Sequence, residues 1–329
     1  MISRAADTKS PRPGWKRWFI RTGLVLLTST ALGFTVLFFV SRSTILKLLP
    51  APETEKIVLS GKAASGMVID AGGGWYNDGK LTELVIRSKK TADGWERPEG
   101  IIIRNCRIRG SIRIMGMGRN GEATEVKKSS HTEGHIQRAQ SAAPTGILIS
   151  GVEIEAAHGI PLYLAPGVTK VTVEESKFTG WSVATGLYLD AESADNVIRN
   201  NTFTLKTGRE VIAIDGSAGN HLEGNRFQNP AFGGIYVYRN CGEGGTVRHQ
   251  MPQGNVILDN HFATGMLGVL SYGIWLGSRN GHRSYCEDDA GYPFGSSADN
   301  RDFADNNSLS GNIFDPPTPR SIRDDGRGN

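Results

Sequence analysis

Two aspartates, Asp190 and Asp215, stand 25 residues apart, each at the end of a short aliphatic run of similar form, GLYLDA (186–191) and VIAIDG (211–216). Such a carboxylate pair can act as general acid and base, or acid and nucleophile, at a glycosidic bond. It can also offer hard oxygen ligands to Ca2+, although two carboxylates are fewer than that ion ordinarily takes. Runs of the same pattern carry Tyr188, Tyr236 and Tyr238 (GIYVYR, 234–239) and Trp275 (GIWLGS, 273–278), whose ring faces suit the apolar faces of sugars. Arg239 ends one run, with Arg248 and His249 after it, and Arg279 and His282 follow another. Elimination or epimerisation at a uronate needs a cation on the sugar carboxylate, so that the C5 proton becomes acidic, and a base to remove it. Arg239, Arg248 or Arg279 can supply the cation, and Tyr238 or His249 the base. The candidate catalytic set is therefore Asp190, Asp215, Tyr238, Arg239, Arg248 and His249. The candidate substrate-binding set is Tyr188, Tyr236, Trp275, Arg279 and His282. Against this stands the plain reading, in which aromatics cover exposed backbone and each loop charge is simply solvated.

What must position these residues is a repeat. A turn phrase recurs as NCRI (105–108), GVEI (151–154), ESKF (175–178), NNTF (200–203), GNRF (224–227), DNHF (259–262) and GNIF (311–314). Its last positions lie 46, 24, 25, 24, 35 and 52 residues apart, so the unit is 24–25 residues with insertions. A second run follows each phrase: SIRIMG, GIPLYL, GLYLDA, VIAIDG, GIYVYR and GIWLGS. Alternation within these runs separates an aliphatic face from a mixed one. The aliphatic face is Ile112, Ile160, Leu187, Ile212, Ile235 and Ile274, with Ile114, Leu162, Leu189, Ile214, Val237 and Leu276 two positions on. The outward columns read Arg113, Pro161, Tyr188, Ala213, Tyr236, Trp275 and Met115, Tyr163, Asp190, Asp215, Tyr238, Gly277. Neither the leucine-rich-repeat pattern nor the 3.6-residue period of paired-helix repeats is present. Short strands in a 25-residue coil predict a β-solenoid with turns stacked about 4.8 Å apart. Asn201, Asn225, Asn260 and Asn312 then fall in one column, continued by Ser176.

With these phrases and this column the sequence resembles the right-handed parallel β-helix superfamily, the pectate-lyase-like group, over about residues 57–314. The resemblance implies an all-β, single-stranded right-handed parallel β-helix. Its members include polysaccharide lyases, hydrolases, uronan epimerases, tailspikes and adhesins, so it does not select a chemistry. The chain also lacks the Arg-x-Pro-x-x-Arg of pectate lyases, the Asn-Thr-Asp and Asp-Asp set of polygalacturonases, and the Asp-Pro-His-Asp of alginate epimerases. Insertions at 117–143, 239–253 and 278–306 all leave from the ends of second runs, and are expected to wall one side of the aromatic strip.

The rest of the chain bears on location. Residues 1–21 hold six Lys/Arg and Asp7, a net +5 of the whole chain's +4, which leaves the remainder at −1 and gives no footprint for nucleic acid. Residues 22–40 contain no ionisable side chain and as a helix would span about 28 Å. Trp15 and Trp18 precede them. This predicts a single transmembrane anchor with a cytoplasmic N-terminus, a linker at 41–56, and the β-helix outside, which is the periplasm in a Gram-negative bacterium. A cleaved signal peptide is the alternative. Cys241 and Cys286 lie in two insertions expected to be neighbours and are candidates for a bridge or, less well, for a zinc site; Cys106 reads as a buried thiol. Residues 315–329, with Pro316, Pro317 and Pro319, read as a disordered tail. The expectation is an anchored β-helix acting on an extended uronate-containing polysaccharide, as lyase or epimerase before hydrolase. The competing class is a non-catalytic carbohydrate-binding or envelope scaffold protein.

Overall fold

The computed structural model describes residues 53–119, 123–240, 242–265, 270–277 and 303–329, all within one unit, Ala51–Asn329. Each turn of chain makes three short strands, and each strand lies parallel on its counterpart one turn earlier. The first sheet runs through Glu55–Ser60, Thr82–Arg87, the end of Ile102–Met115, Leu162–Leu164, Leu187–Leu189, Ile212–Asp215, Ile235–Tyr238, Ile274–Leu276 and Ile322–Asp324. The second includes Val68–Asp70, Thr172–Glu174, Val197–Arg199, His221–Glu223, Val256–Leu258 and Ser308–Ser310. The third includes Lys177–Ser182, Thr202–Phe203, Arg226–Gln228, His261–Ala263 and Ile313–Asp315. The long strands Ile102–Met115 and Leu148–His158 bend across more than one sheet. The result is an all-β parallel β-helix; a single antiparallel hairpin among the described residues pairs Lys89–Thr91 with Gly94–Glu96.

The corners explain the repeated phrase. The residue before the asparagine column is left-handed in every turn: Asn105, Gly151, Glu175, Asn200, Gly224, Asp259 and Gly311 all have φ between 49° and 64°. Gly, Asn and Asp tolerate that backbone best, which accounts for six of the seven. The next residue then points its amide along the axis. The Asn201 backbone N–H donates to Asn225 Oδ1 (3.1 Å), that of Asn225 to Asn260 Oδ1 (3.0 Å) and that of Asn260 to Asn312 Oδ1 (3.1 Å). Ser176 continues the column, its backbone N–H donating to Asn201 Oδ1. A second ladder, five residues upstream in each turn, links Asn196, Asn220, Asn255, Asn307 and Asn329 in the same way. Two residues past the first ladder, on the strands of the third sheet, Phe178, Phe203, Phe227, Phe262 and Phe314 stack with centroids 4.5–5.0 Å apart.

The aliphatic face points inward, with Ile112, Leu187, Ile212, Ile235 and Ile274 all fully buried. The register at 159–164 differs from the sequence reading by two residues. Leu162 and Leu164, not Ile160 and Leu162, pair with Ile112 and Ile114. Ile160 and Pro161 belong to the approach to the strand, and because the slip is even no side chain changes face. Tyr163 therefore moves into the column of Tyr188. Residues 315–329 are also not a disordered tail: Ile322–Asp324 pairs with Ile274–Leu276, and Asn329 ends the second ladder. The segments 1–21 and 22–40, and the linker up to residue 52, lie outside the described residues. Among those described, no helix is long and apolar enough to cross a membrane.

Candidate functional site

The outward column of the first sheet, read through the strand register, is Arg113, Tyr163, Tyr188, Ala213, Tyr236, Trp275 and Arg323. Two insertions lie across the middle of this column. The first carries helices α1 (Thr124–Ser130) and α2 (His135–Ala142), with a small core of its own, Met117, Val126, Ala139 and Ala142. The backbone of α2 rests directly on Gly167, where a Cβ would lie 2.3 Å from the Ala139 carbonyl. The second, 239–253, is tied to the first: the Val247 N–H donates to Ser130 Oγ (2.9 Å), and His131 Nε2 and His249 Nε2 lie 2.7 Å from the Gly245 and Ser130 carbonyl oxygens. These two insertions thus cover the middle of the strip, which the sequence reading had them wall; the third, 278–306, lies outside the described residues up to residue 302.

Beneath the cover the structure brings Asp190, Asp215 and Arg248 together. Arg248 Nη1 is 3.0 Å from Asp215 Oδ1, and its Nη2 is 3.4 Å from Asp190 Oδ1. Asp215 also accepts from the Asn240 N–H and Nδ2 (both 2.7 Å) and from the Tyr188 hydroxyl. Asp190 accepts from the Tyr163 hydroxyl (2.5 Å) and the Ala191 N–H (2.8 Å). All three charged side chains are at least 95% buried. Burial pushes the Asp190 carboxyl up, opposed by Arg248 and reinforced by Asp215. Burial works against the Arg248 charge as well, but Asp215 and Asp190 outweigh it and hold the guanidinium well above its usual range. Tyr163 and Tyr188 are held protonated by burial and by the adjacent carboxylates. As it stands this cluster is an ion-paired, hydrogen-bonded fastening between sheet and cover. Among the described residues no group of three or more His, Cys, Asp or Glu is arranged to hold a metal.

The remaining predicted residues divide around this cluster. Arg239 is fully buried and donates to the Arg248 carbonyl (3.2 Å). His249 belongs to the interior of the cover, its N–H on Glu192 Oε1 (2.9 Å) and its ring 5.1 Å from that of His135. Burial lowers both imidazoles, His135 to about 4, and raises the Glu192 carboxyl. Tyr238 is buried, and its hydroxyl donates to Glu210 Oε1 (2.6 Å) while accepting from Arg209 (2.9 Å). Tyr236 and Trp275 are half-buried on adjoining turns, edge to face at 5.4 Å. Each ring lies over a glycine: a Cβ on Gly233 would fall 2.4 Å from the Tyr236 ring, and one on Gly277 2.3 Å from the Trp275 ring. Trp275 Nε1 donates to Asp325 (2.9 Å). Arg279, His282, Cys241 and Cys286 lie outside the described residues.

Sequence reasoning missed Arg209 and Glu210. Arg209 keeps 39% of its side chain exposed while bound to Glu210 and Tyr238, and although burial opposes its charge, Tyr238 and Glu210 hold it above its usual range. The pair stands just before the inward Ile212, a position the search for outward columns passes over.

Parallel coils, amide ladders at two corners of each turn and side-chain columns on the outer sheet define a parallel β-helix protein. The model of one family, the right handed beta helix region, matches residues 75–287, and the chain belongs to that family. No curated protein matches it. Among solved structures it is similar to the catalytic domain of a GH87 alpha-1,3-glucanase in complex with nigerose, at 15% identity and a TM-score of 0.35, over 79% of this chain and 39% of that one. It is also similar to an alginate lyase from Paenibacillus sp. str. FPU-7, at 14% identity and a TM-score of 0.32, over 87% of this chain and 96% of that one. The chain thus spans about two fifths of the glucanase domain, and likeness at these levels carries nothing about activity.

Proposed function

We propose that the protein is an externally facing β-helix, anchored through residues 22–40, that holds an extended, carboxylate-bearing polysaccharide against the outer face of its first sheet. The observation that carries this reading is the pair Tyr236 and Trp275, two half-buried rings laid over glycines on adjoining turns, two residues along the strand from the Tyr238–Arg209 contact. A polysaccharide is a ladder of rings with apolar faces, and one ring of this edge-to-face pair can take such a face while the other borders it. Arg209 offers a guanidinium to a sugar carboxylate. The test is retardation of the full chain in gels containing polygalacturonate, alginate or a neutral glucan. Tyr236→Ala or Trp275→Ala should weaken retention by acidic polymers by about twofold to tenfold each, from the loss of stacking. Retention unchanged in both variants would remove the reading. Mass spectrometry of the mature N-terminus tests the anchor: a chain beginning near Ser41 would replace it with a signal peptide.

A second reading, elimination or epimerisation at a uronate, is favoured by the Tyr238 phenol, held between a carboxylate and a guanidinium as a proton-transferring group would be. Tyr238→Phe should then abolish formation of unsaturated or epimerised product and leave polymer retention intact. Hydrolysis by Asp190 and Asp215 has less support, since Arg248 and two phenols occupy both carboxylates.

A further inference from the structure

At the N-terminal end of the first sheet a groove of about 280 Å³ opens where the third sheet turns into the first, lined in part by Lys56, Glu83, Gly110, Arg113, His158 and Gly159. Arg113 and Trp275 are five turns apart in one column, about 24 Å at the spacing of stacked strands. The groove carries unequal charge. Glu83 lies 3.4 Å from Lys56 and 3.8 Å from Arg113, one carboxylate shared by two cations at distances too long for strong hydrogen bonds. Arg113 is four-fifths buried over the Tyr163 ring, at 5.5 Å from its centroid. Burial lowers its affinity for its proton, and so does the charge of Arg119, while Glu83 only partly compensates. A desolvated guanidinium of this kind gains from a further anion. Gly159 carries no side chain to cover the guanidinium, whereas a Cβ there would already touch Arg113 Nη2, at 3.5 Å. His158, at the rim, is held at φ 89°, a backbone conformation that non-glycine residues rarely keep without tertiary support, and its ring meets Trp181 edge-on at 5.3 Å.

We propose that this groove is a binding subsite for a single carboxylate-bearing sugar ring, with Arg113 and Lys56 taking the carboxylate and His158 bordering the ring. The sugar class rests on the acidic-polysaccharide reading above, whereas the site itself rests on the groove and its charge. Calorimetric titration of the full chain with galacturonate, with galactose and inorganic sulfate as comparison probes, tests it. Saturable, salt-sensitive binding of galacturonate but not galactose is expected. Arg113→Gln and Lys56→Met should each weaken it at least about tenfold. Lys177→Met, an exposed change on the third sheet, should leave it unchanged. Lys56 has a half-exposed side chain, so Lys56→Met remains informative if Arg113→Gln fails to fold. Absence of galacturonate binding by the parent, or parent-like binding by Lys56→Met, would overturn the subsite. Sulfate binding as tight as galacturonate would reduce it to an oxyanion site and overturn the sugar assignment. If galacturonate binds here while polymer retention ignores Tyr236 and Trp275, the platform reading falls and the groove stands; the opposite pattern removes the groove alone.

Discussion

Arg248→Met should show what the buried cluster contributes. In the parent one guanidinium faces Asp215 at 3.0 Å and Asp190 at 3.4 Å, with both carboxylates at most 5% exposed. Removing it takes away the guanidinium that the two buried carboxylates share, and breaking a buried pair in this way costs about 3–5 kcal/mol at neutral pH. Methionine fills most of the arginine stem's volume, so the loss comes mainly from charge. The pH dependence has a definite sign. Asp190 is already pushed up by burial and by Asp215, and Arg248 is the main force opposing that push. Without it the folded variant keeps a proton that the unfolded chain releases. The deficit should therefore be smallest in acid and grow as pH rises from the ordinary carboxylate range through the raised value. Urea denaturation followed by circular dichroism across that range measures it. Adding Asp190→Asn and Asp215→Asn to Arg248→Met should recover more than half of the loss, since the two carboxylate charges that Arg248 faced are then removed with it. A single variant within about 1 kcal/mol of the parent at neutral pH would refute the argument.

Asn225→Ala removes the acceptor for the Asn201 N–H and Nδ2 and the donor to the Ile198 carbonyl, all buried, and should cost about 3–6 kcal/mol in the same denaturation assay. Phe227→Ala opens a gap in the middle of the ring stack and should cost about 3–5 kcal/mol, with Phe227→Leu recovering most of it. Because burial holds His135 neutral with its pKa at about 4, below its unfolded value, the stability it permits is complete above about pH 6.5 and is lost as pH falls toward 4. His135→Asn should flatten that part of the stability curve, and an unchanged slope would place the acid sensitivity elsewhere.

The coil was legible because its corners leave a local mark. A left-handed residue followed by an inward amide must be written as Asn-Asn, Gly-Asn or Asp-Asn, and alternation then assigns each strand its faces. The second ladder carries the same mark five residues earlier, at Asn196, Asn220, Asn255 and Asn307, and fixed N-x4-N spacing could have revealed it. The two-residue slip at GIPLYL was harder to see, since Ile160, Leu162 and Leu164 are all aliphatic and share one parity. The site was less legible than the coil for a different reason. Alternation shows that Asp190 and Asp215 face outward, and they do, but it cannot show that α1, α2 and residues 239–253 fold over them. That contact joins segments more than 100 residues apart, Val247 to Ser130 for one, and no period in the sequence encodes it.

The first asparagine ladder has a consequence for what this scaffold can carry. Its members Asn201, Asn225, Asn260 and Asn312 are 24, 35 and 52 residues apart, yet the rung-to-rung contacts stay at 3.0–3.1 Å throughout. The coil is thus insensitive to how far the chain wanders between one corner and the next, provided that it returns in register. Lengthening a detour costs little in closure entropy, about 0.6 kcal/mol for each doubling. The exits of the first sheet are therefore natural grafting points, where a foreign loop could replace an existing excursion while the amides on either side keep the turns aligned. Descent and engineering meet the same freedom there: new surface can be tried on one edge of the coil without renegotiating its interior.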